Sequence, residues 1–208
     1  LDRFPPLFSY CSKLAEHIVE GAIVLIGGQA RSGKSTFAGV LRDAIQARGK
    51  GALVMSIDRW LKGGQQRDTG VLGRYDMASW QELVSTFGNS TRRPATLTLP
   101  GYHKLKRERV DSVETISLEV SDIILLEGTV ALALDTASTT EVHRFHIEID
   151  EQSRKQRILR EYQLRSFGEA QALKVYLARL KDEVPLIESL ARGASRISVD
   201  GLKNPKEH

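Results

Sequence analysis

Short, mostly apolar stretches recur along the chain, and between them lie segments in which apolar residues repeat every three or four positions. The short stretches predict buried strands, whereas the three-to-four spacing predicts amphipathic helices. Strands separated by helices predict an α/β fold, with a parallel sheet and helices on both faces. The five strand segments are 22–26, 52–57, 122–127, 145–150 and 196–199.

Helical segments surround these strands. An amphipathic helix over 7–20 leads into the first strand, and a second helix follows a glycine-rich loop and ends at Gly49. Ser79 and Glu82 form a capping-box pattern that predicts the start of a third helix. The segments outside this alternation are a glycine-rich loop, an extended stretch and a half-exposed strand, over 61–74, 92–100 and 113–120.

Two helices are predicted in the C-terminal part. A basic helix runs over 152–165, and a longer one begins at Glu169. Pro185 is expected to stop or kink the longer helix, because proline cannot donate the helical hydrogen bond. The positions expected on its buried face are Leu173, Leu177, Leu180 and Val184.

The 208 residues suffice for one domain with a buried core. A net charge of +4 and a pI near 9.2 permit nucleic-acid binding, but few aromatic residues lie among the basic clusters to stack on bases, so no nucleic-acid partner is expected. No membrane partner is expected either, because no run is long enough to cross a bilayer and no signal-peptide pattern opens the chain. The single cysteine, Cys11, cannot form an internal disulfide, which favours a cytoplasmic protein.

The loop after the first strand carries a specific chemical pattern. Gly28, Gly33, Lys34 and Ser35 satisfy G-x-x-x-x-G-K-[ST] between a predicted strand and a predicted helix. Glycines let backbone N–H groups curl around a phosphate, and the helix N-terminus favours its negative charge. Lys34 adds a mobile positive charge, and the Ser35 hydroxyl suits Mg²⁺. The pattern predicts a nucleoside triphosphate site formed by Gly28, Gln29, Ala30, Arg31, Ser32, Gly33, Lys34, Ser35 and Thr36.

Single acids follow two predicted strands. Asp58 comes directly after the second strand, and Glu127 ends the third, just before Gly128. Because the carboxyl ends of parallel strands share one edge of a sheet, both carboxylates are expected beside the glycine loop. There Asp58 would orient an acceptor hydroxyl and take its proton, and Glu127 would hold Mg²⁺ with Ser35. Helix capping or simple solvation is the alternative.

Basic residues crowd the helix after the fourth strand, and Glu161 is the main acid among them. Such a cluster suits stabilisation of the charge on a phosphoryl group during transfer. A solvated basic face is the alternative. The residues are Arg154, Lys155, Arg157, Arg160 and Arg165.

The order of these features resembles one family. GGQARSGKST, SIDRW, GRYDMASW, LPGYH, ILLEG and RILREYQLR are similar to successive motifs of the uridine kinase, phosphoribulokinase and pantothenate kinase group of P-loop kinases, and most of all to those of uridine kinases. The resemblance covers about residues 22–201. It implies a three-layer sandwich with a five-stranded parallel sheet in the order 2-3-1-4-5, and a lid that bears arginines.

The resemblance also implies roles for individual residues, with ATP and Mg²⁺ as cofactors. Asp58 matches the catalytic Asp, and Asp76 matches the residue that holds sugar hydroxyls. Tyr102 matches the tyrosine of the acceptor pocket, and Glu127 matches the metal-associated Glu. With Lys34, the lid arginines would act on the phosphates; they are Arg157, Arg160 and Arg165.

The acceptor motifs depart from those of uridine kinases. Met77 stands where they have His, and His103 directly follows Tyr102 instead of coming some residues later. The basic stretch 104–109 mildly favours an acceptor with an acidic group, although a solvated charge run explains it equally well. The lid's final Gly-Arg is replaced by Ser166 and Phe167.

The sequence therefore predicts a one-domain kinase over 1–208, with a leading helix in 1–20 and a lid and its following helix in 152–184. It would transfer a phosphoryl group from ATP to a hydroxyl of a small metabolite. A nucleoside is expected first, then a sugar, a sugar phosphate or a vitamin precursor. A nucleotide-binding regulatory module and a nucleic-acid-associated ATPase are the alternatives, and homo-oligomer formation is left open. The expected acceptor pocket contains Asp58, Asp76, Tyr102 and His103.

Overall fold

The computed structural model describes residues 5–63, 66, 68–88, 93–103, 108–136 and 141–200. Its helices and strands alternate through most of the chain. In order they are α1 (Pro5–His17), β1 (Ile23–Gly28), α2 (Lys34–Gln46), β2 (Ala52–Ser56), α3 (Met77–Gly88), β3 (Ala95–His103), β4 (Glu108–Leu118), β5 (Ile123–Glu127), β6 (Val142–Glu148), α4 (Glu151–Leu164), α5 (Glu169–Leu190) and β7 (Ser195–Ser198).

Five parallel strands form the central sheet in the order β2-β5-β1-β6-β7. Counted along the chain among these five strands, the order is 2-3-1-4-5, which confirms the expected topology. Strand β1 lies in the middle, and every one of its residues is buried. The glycine loop that follows β1 is therefore at the centre of the sheet's carboxyl edge.

Alternate residues of β1 point into two different apolar layers. Ile23 and Leu25 pack with the side chains of α3, including Trp80. Val24 and Ile26 pack with α1 and α2 on the opposite face. The sheet is thus covered on both sides, as the uncharged strand sequences predict. No helix among the described residues has the length and apolar character needed to cross a membrane.

A second sheet lies outside this sandwich. Strands β3 and β4 pair in an antiparallel ribbon, with a bulge between Pro100 and Gly101. Leu97, Leu99 and Leu118 bury one face of the ribbon against the core. The pattern over 113–120 correctly predicted a strand, which ends at Leu118, but the expected buried face is only partly formed, because Val113 is 66% exposed. Sequence reasoning also did not pair this strand with the extended stretch before it.

The predicted inner face of α5 is wrong. Leu173, Leu177 and Leu180 are 37%, 53% and 38% exposed, and the helix continues through Pro185 to Leu190. Tyr176 turns inward, because its ring packs with Tyr162 of α4. The residues that α5 buries are Ala172, Tyr176, Glu183 and Ile187.

Candidate functional site

The loop between β1 and α2 curls in a way that requires glycine. Gly28 has φ 142°, and a Cβ there would lie 2.5 Å from the Ile147 carbonyl oxygen. Gly33 has φ 101° and forms the N-cap of α2. The Phe37 N–H closes the first turn on the Gly33 carbonyl at 2.9 Å, so the N–H groups of the first residues of α2 have no partner within the helix. The loop therefore offers a ring of backbone donors to an anion.

Lys34 is the first residue of α2 and is only 8% exposed. Its Nζ donates to the Gln29 carbonyl at 2.6 Å, which holds the ammonium inside the loop. Burial lowers the pKa of Lys34, and the nearby carboxylates of Glu127, Asp58 and Glu183 oppose that shift by favouring the charged form. Lys34 is thus surrounded by three carboxylates.

Asp58 and Glu127 come to this lysine from neighbouring strands. Glu127 is in register with Ile26 of β1 on one side and Ser56 of β2 on the other, so it ends β5 between them. Asp58 lies in the single helical turn Ile57–Trp60 that follows β2. Strand order alone thus brings both acids to the loop, as their positions in the sequence predict.

Gly128 allows β5 to end directly against the turn that carries Asp58. A Cβ on Gly128 would lie 1.9 Å from Cγ2 of Ile57, which is fully buried. The Gly128 N–H also donates to the Ile26 carbonyl at 3.0 Å. The spacing between Glu127 and Asp58 therefore depends on the missing side chain.

The segment with Asp76 runs beside the segment that follows Asp58. The Asp76 N–H donates to the Trp60 carbonyl at 2.8 Å, and Leu61 and Tyr75 form an antiparallel bridge. The Asp76 carboxylate caps α3, accepting from Ser79 N at 3.2 Å and Ser79 Oγ at 2.8 Å. The capping residue is thus Asp76 and not Ser79, because α3 begins at Met77.

The ribbon supplies the other predicted acceptor residues. Arg59, next to Asp58, donates from NH1 to the Pro100 carbonyl at 2.9 Å, which connects the turn Ile57–Trp60 to β3. Tyr102 is half-buried two residues further along β3, and His103 is exposed at the end of the strand. Residues 104–107, to which most of the basic stretch belongs, lie outside the described residues, so the preference for an acidic acceptor stays a prediction.

The arginines of helix α4 lie in different surroundings. Arg154 does not face the loop as predicted: it is fully buried, bonds Glu151 at 2.7 and 2.9 Å, and lies 5.4 Å from the centre of the Tyr176 ring. It joins α4 to α5. Arg157 reaches the loop, where its NH1 donates to the Arg31 carbonyl at 3.3 Å.

The other two lid arginines, Arg165 and Arg160, differ in their contacts with the rest of the protein. Glu161 forms an ion pair with Arg31 of the loop and lies 3.9 Å from Arg165, so it connects the lid to the loop. Arg160 is exposed on the same helix. The structure thus brings Arg157 and Glu161 to the glycine loop and leaves Arg160 in solvent.

Sequence reasoning missed two charged residues near the lysine, Glu183 and Arg179. Glu183 of α5 is 4% exposed, and its Oε1 accepts from Arg74 NH1 at 3.0 Å. Arg179 lies 3.9 Å from the same oxygen and donates to the Tyr162 hydroxyl at 3.1 Å. The available signal was helical spacing, because Glu183 falls on the same helix face as Ala172, Tyr176 and Ile187.

The polar atoms of the loop and of the neighbouring strand end suit a nucleoside triphosphate with Mg²⁺. Ser32 Oγ and Gln29 Oε1 are buried and have no hydrogen-bond partner among the described residues, so the loop has polar atoms left to satisfy. Ser35 is exposed at the start of α2 and Glu127 ends β5, and hydroxyl and carboxylate oxygens are ligands that Mg²⁺ prefers.

Comparisons with known proteins agree with this fold. No family model and no curated protein matches the chain. Solved structures do match it. A protein of Silicibacter sp. TM1040, proposed to be a fructose transport system kinase, aligns over 92% of this chain and 96% of its own at 14% identity, with a TM-score of 0.65. A provisional uridine kinase of Bacillus stearothermophilus aligns over the same shares at 20% identity, with a TM-score of 0.57.

A third structure is YFH7 of Saccharomyces cerevisiae, proposed to be a P-loop kinase with a circular permutation. It aligns over 90% of this chain and 98% of its own at 12% identity, with a TM-score of 0.67. The chain has the P-loop kinase fold. In this chain the glycine loop after β1 and the acid that ends β5 lie at one edge of the sheet.

Proposed function

We propose that the chain is an ATP-dependent kinase that transfers the terminal phosphoryl group to a hydroxyl of a small metabolite. One observation carries the proposal: β5 lies between β1 and β2, so Glu127 at the end of β5 and Asp58 in the turn after β2 come to the sheet edge where the glycine loop holds Lys34. A protein that only binds a nucleotide has no use for an acid at Asp58. A phosphotransferase needs it to position the attacking hydroxyl.

The residues divide the work as follows. The loop amides and Lys34 would bind the phosphates, and Ser35 with Glu127 would hold Mg²⁺, which neutralises phosphate charge. Asp58 would accept the proton of the acceptor hydroxyl. At the same time the hydroxyl oxygen would bond to the γ-phosphorus, and the bond from that phosphorus to the ADP oxygen would break. The residues proposed to neutralise charge from the lid are Arg157, Arg160 and Arg165.

The acceptor is proposed to lie between the turn with Asp58, the segment with Asp76 and the ribbon with Tyr102 and His103. These elements are connected by the Trp60 to Asp76 and Arg59 to Pro100 hydrogen bonds. A nucleoside is the first choice of acceptor, and a sugar, a sugar phosphate or a vitamin precursor follows.

The test is ADP formation with ATP and Mg²⁺ across uridine, cytidine, fructose, ribose 5-phosphate and pantothenate. Acceptor-dependent ADP formation supports the kinase. Asp58→Asn should keep ATP binding and lower that rate by about 10²- to 10⁴-fold, because a positioned base is lost. Asp43→Asn is a matched control, since Asp43 lies on α2 and pairs with Arg42 at the surface. Hydrolysis that depends only on DNA or RNA, or an Asp58→Asn rate equal to the parent's, would refute the proposal.

A further inference from the structure

Glu183 is a buried carboxylate that the phosphoryl-transfer chemistry does not use. Its residue exposure is 4%, and it is anchored through one oxygen only: Oε1 accepts from Arg74 at 3.0 Å and lies 3.9 Å from Arg179. The other oxygen, Oε2, is buried and has no hydrogen-bond partner among the described residues. Buried carboxylate oxygens are almost always hydrogen-bonded, because losing water without a replacement is costly.

The unpartnered oxygen belongs to the reaction site and not to a remote part of the core. Glu183 and Arg179 both act electrostatically on Lys34, as Asp58 and Glu127 do. Arg74, which orients Glu183, lies two residues before Asp76 in the segment proposed to bind the acceptor. Helix α5 therefore supplies a further wall of the same site, on the side where that segment runs.

The charges around Glu183 leave no positive excess. Arg74 also lies 3.9 Å from Asp182, so with Lys34 and its two strand-end acids three cations face four carboxylates. The group has no excess positive charge with which to attract a phosphate or a carboxylate. A carboxylate oxygen can only accept hydrogen bonds, so the missing partner must be a donor such as a hydroxyl.

We propose that Glu183, oriented by Arg74 and Arg179, binds a second hydroxyl of the acceptor, and that the acceptor is an uncharged polyhydroxy compound of the sugar or nucleoside class. This inference rests on the proposed function, because it concerns the acceptor of that reaction. It opposes the expectation of an acidic acceptor that the basic stretch 104–109 raised. The anionic group of a sugar phosphate or of a carboxylate-bearing vitamin precursor would be repelled wherever it came near Glu183, so neutral compounds are expected to bind more tightly.

The experiment measures equilibrium binding, so that it does not depend on turnover. Uridine, fructose, ribose 5-phosphate and pantothenate are titrated calorimetrically into protein saturated with Mg²⁺ and the non-hydrolysable ATP analogue adenylyl imidodiphosphate. Wild type should bind uridine or fructose more tightly than either anionic compound. Glu183→Gln keeps the shape and an oxygen for Arg74, and should weaken that binding by about 10- to 100-fold, since a hydrogen bond to a charged group is lost.

Two further variants separate binding from folding. Glu183→Asp keeps the charge beside the arginines but withdraws the oxygens by one methylene, so it should also weaken binding while the melting temperature changes little. Glu188→Gln is the matched control: Glu188 lies on α5 and pairs with Arg196 at 2.8 Å, and its loss should leave the Kd for the acceptor unchanged. The Kd of the ATP analogue should stay within about twofold in Glu188→Gln, because Glu188 pairs with Arg196 and is not among the charges that act on Lys34.

Each outcome decides one question. The role of Glu183 is refuted if Glu183→Gln binds the neutral compounds as wild type does, if wild type prefers the anionic compounds, or if none of the four compounds binds. In each of these cases, ADP formation by wild type would still support the kinase proposal. If neutral compounds bind through Glu183 but no ADP forms, the hydroxyl-binding role stands and the kinase proposal falls. A purely structural Glu183 would lower the melting temperature and leave the Kd of the folded variant unchanged.

Discussion

Replacing Gly128 by alanine tests whether stability and activity depend on the close contact between the end of β5 and the turn Ile57–Trp60. The added Cβ would lie 1.9 Å from Cγ2 of Ile57, far inside van der Waals contact. Ile57 is fully buried, so its side chain has no free space to enter and the turn itself must move. Because Ile57 directly precedes Asp58, the displacement should reach the proposed base.

The magnitude follows from the cost of overpacking. One extra methyl group in a packed core costs about 1–3 kcal/mol. For a chain of this length about 1 kcal/mol shifts the melting temperature by roughly 2–4 °C, so Gly128→Ala should lower it by roughly 2–12 °C. Acceptor-dependent turnover should fall as well. Gly39→Ala is the control, since nothing lies within 4 Å of a Cβ at Gly39 inside α2, and it should be neutral or slightly stabilising.

A double-mutant cycle with Ile57→Ala isolates the contact. Removing the Ile57 side chain alone costs about 2–5 kcal/mol, but it also removes the atom that the new Cβ meets. The double variant should therefore be more stable than the sum of the single changes predicts, by about 1 kcal/mol or more in denaturant unfolding. Strict additivity within about 0.5 kcal/mol, or a Gly128→Ala protein as stable and active as wild type, would refute the steric argument.

Three further changes probe the loop, the core and the lid. Lys34→Ala should abolish ATP-dependent turnover with an unchanged far-ultraviolet circular dichroism spectrum. Burial raises the pKa of Cys11 to about 12 from about 9, so iodoacetamide at pH 8 should modify it only after unfolding. The free energy of unfolding should fall as the pH rises from about 9 to 12, because only the unfolded thiol ionises there, and Cys11→Ala should remove that part of the fall. Tyr176→Phe loses the hydroxyl that donates to Glu151 at 2.7 Å and should cost about 1 kcal/mol in denaturant unfolding.

The sheet and the acids at its carboxyl edge could be predicted because both depend on local sequence. Strands that are buried on two faces tolerate few charges, so β1 and β5 stand out as apolar runs. The first acid after such a run must lie at the strand's carboxyl end, which located Asp58 and Glu127. Strand ends were less well predicted: β6 begins at Val142, ahead of the expected Phe145, and Asp150 lies outside it as the cap of α4.

Contacts between elements could not be predicted in the same way. Ser79 and Asp76 are both capable helix caps, and only the hydrogen bonds of the folded chain show that Asp76 serves. Arg154 belongs to the same basic run as Arg157, yet it turns into the α4–α5 interface because Glu151 and Tyr176 meet it there. A run of arginines gives the charge of a helix, but the neighbouring helix decides which arginine reaches the loop.

Helix α5 shows why the usual rule for buried faces failed. The rule places leucines inside because it takes the inside to be apolar. The inner side of α5 meets α4 through Tyr176 and meets Arg74 through Glu183, so polar and aromatic residues occupy it, while Leu177 is 53% exposed. When the inward face of a helix lines a proposed ligand site, a single acid on that face is more informative than the leucines on the exposed face. That reasoning selects Glu183, and a helix pattern judged by hydrophobicity alone would pass over it.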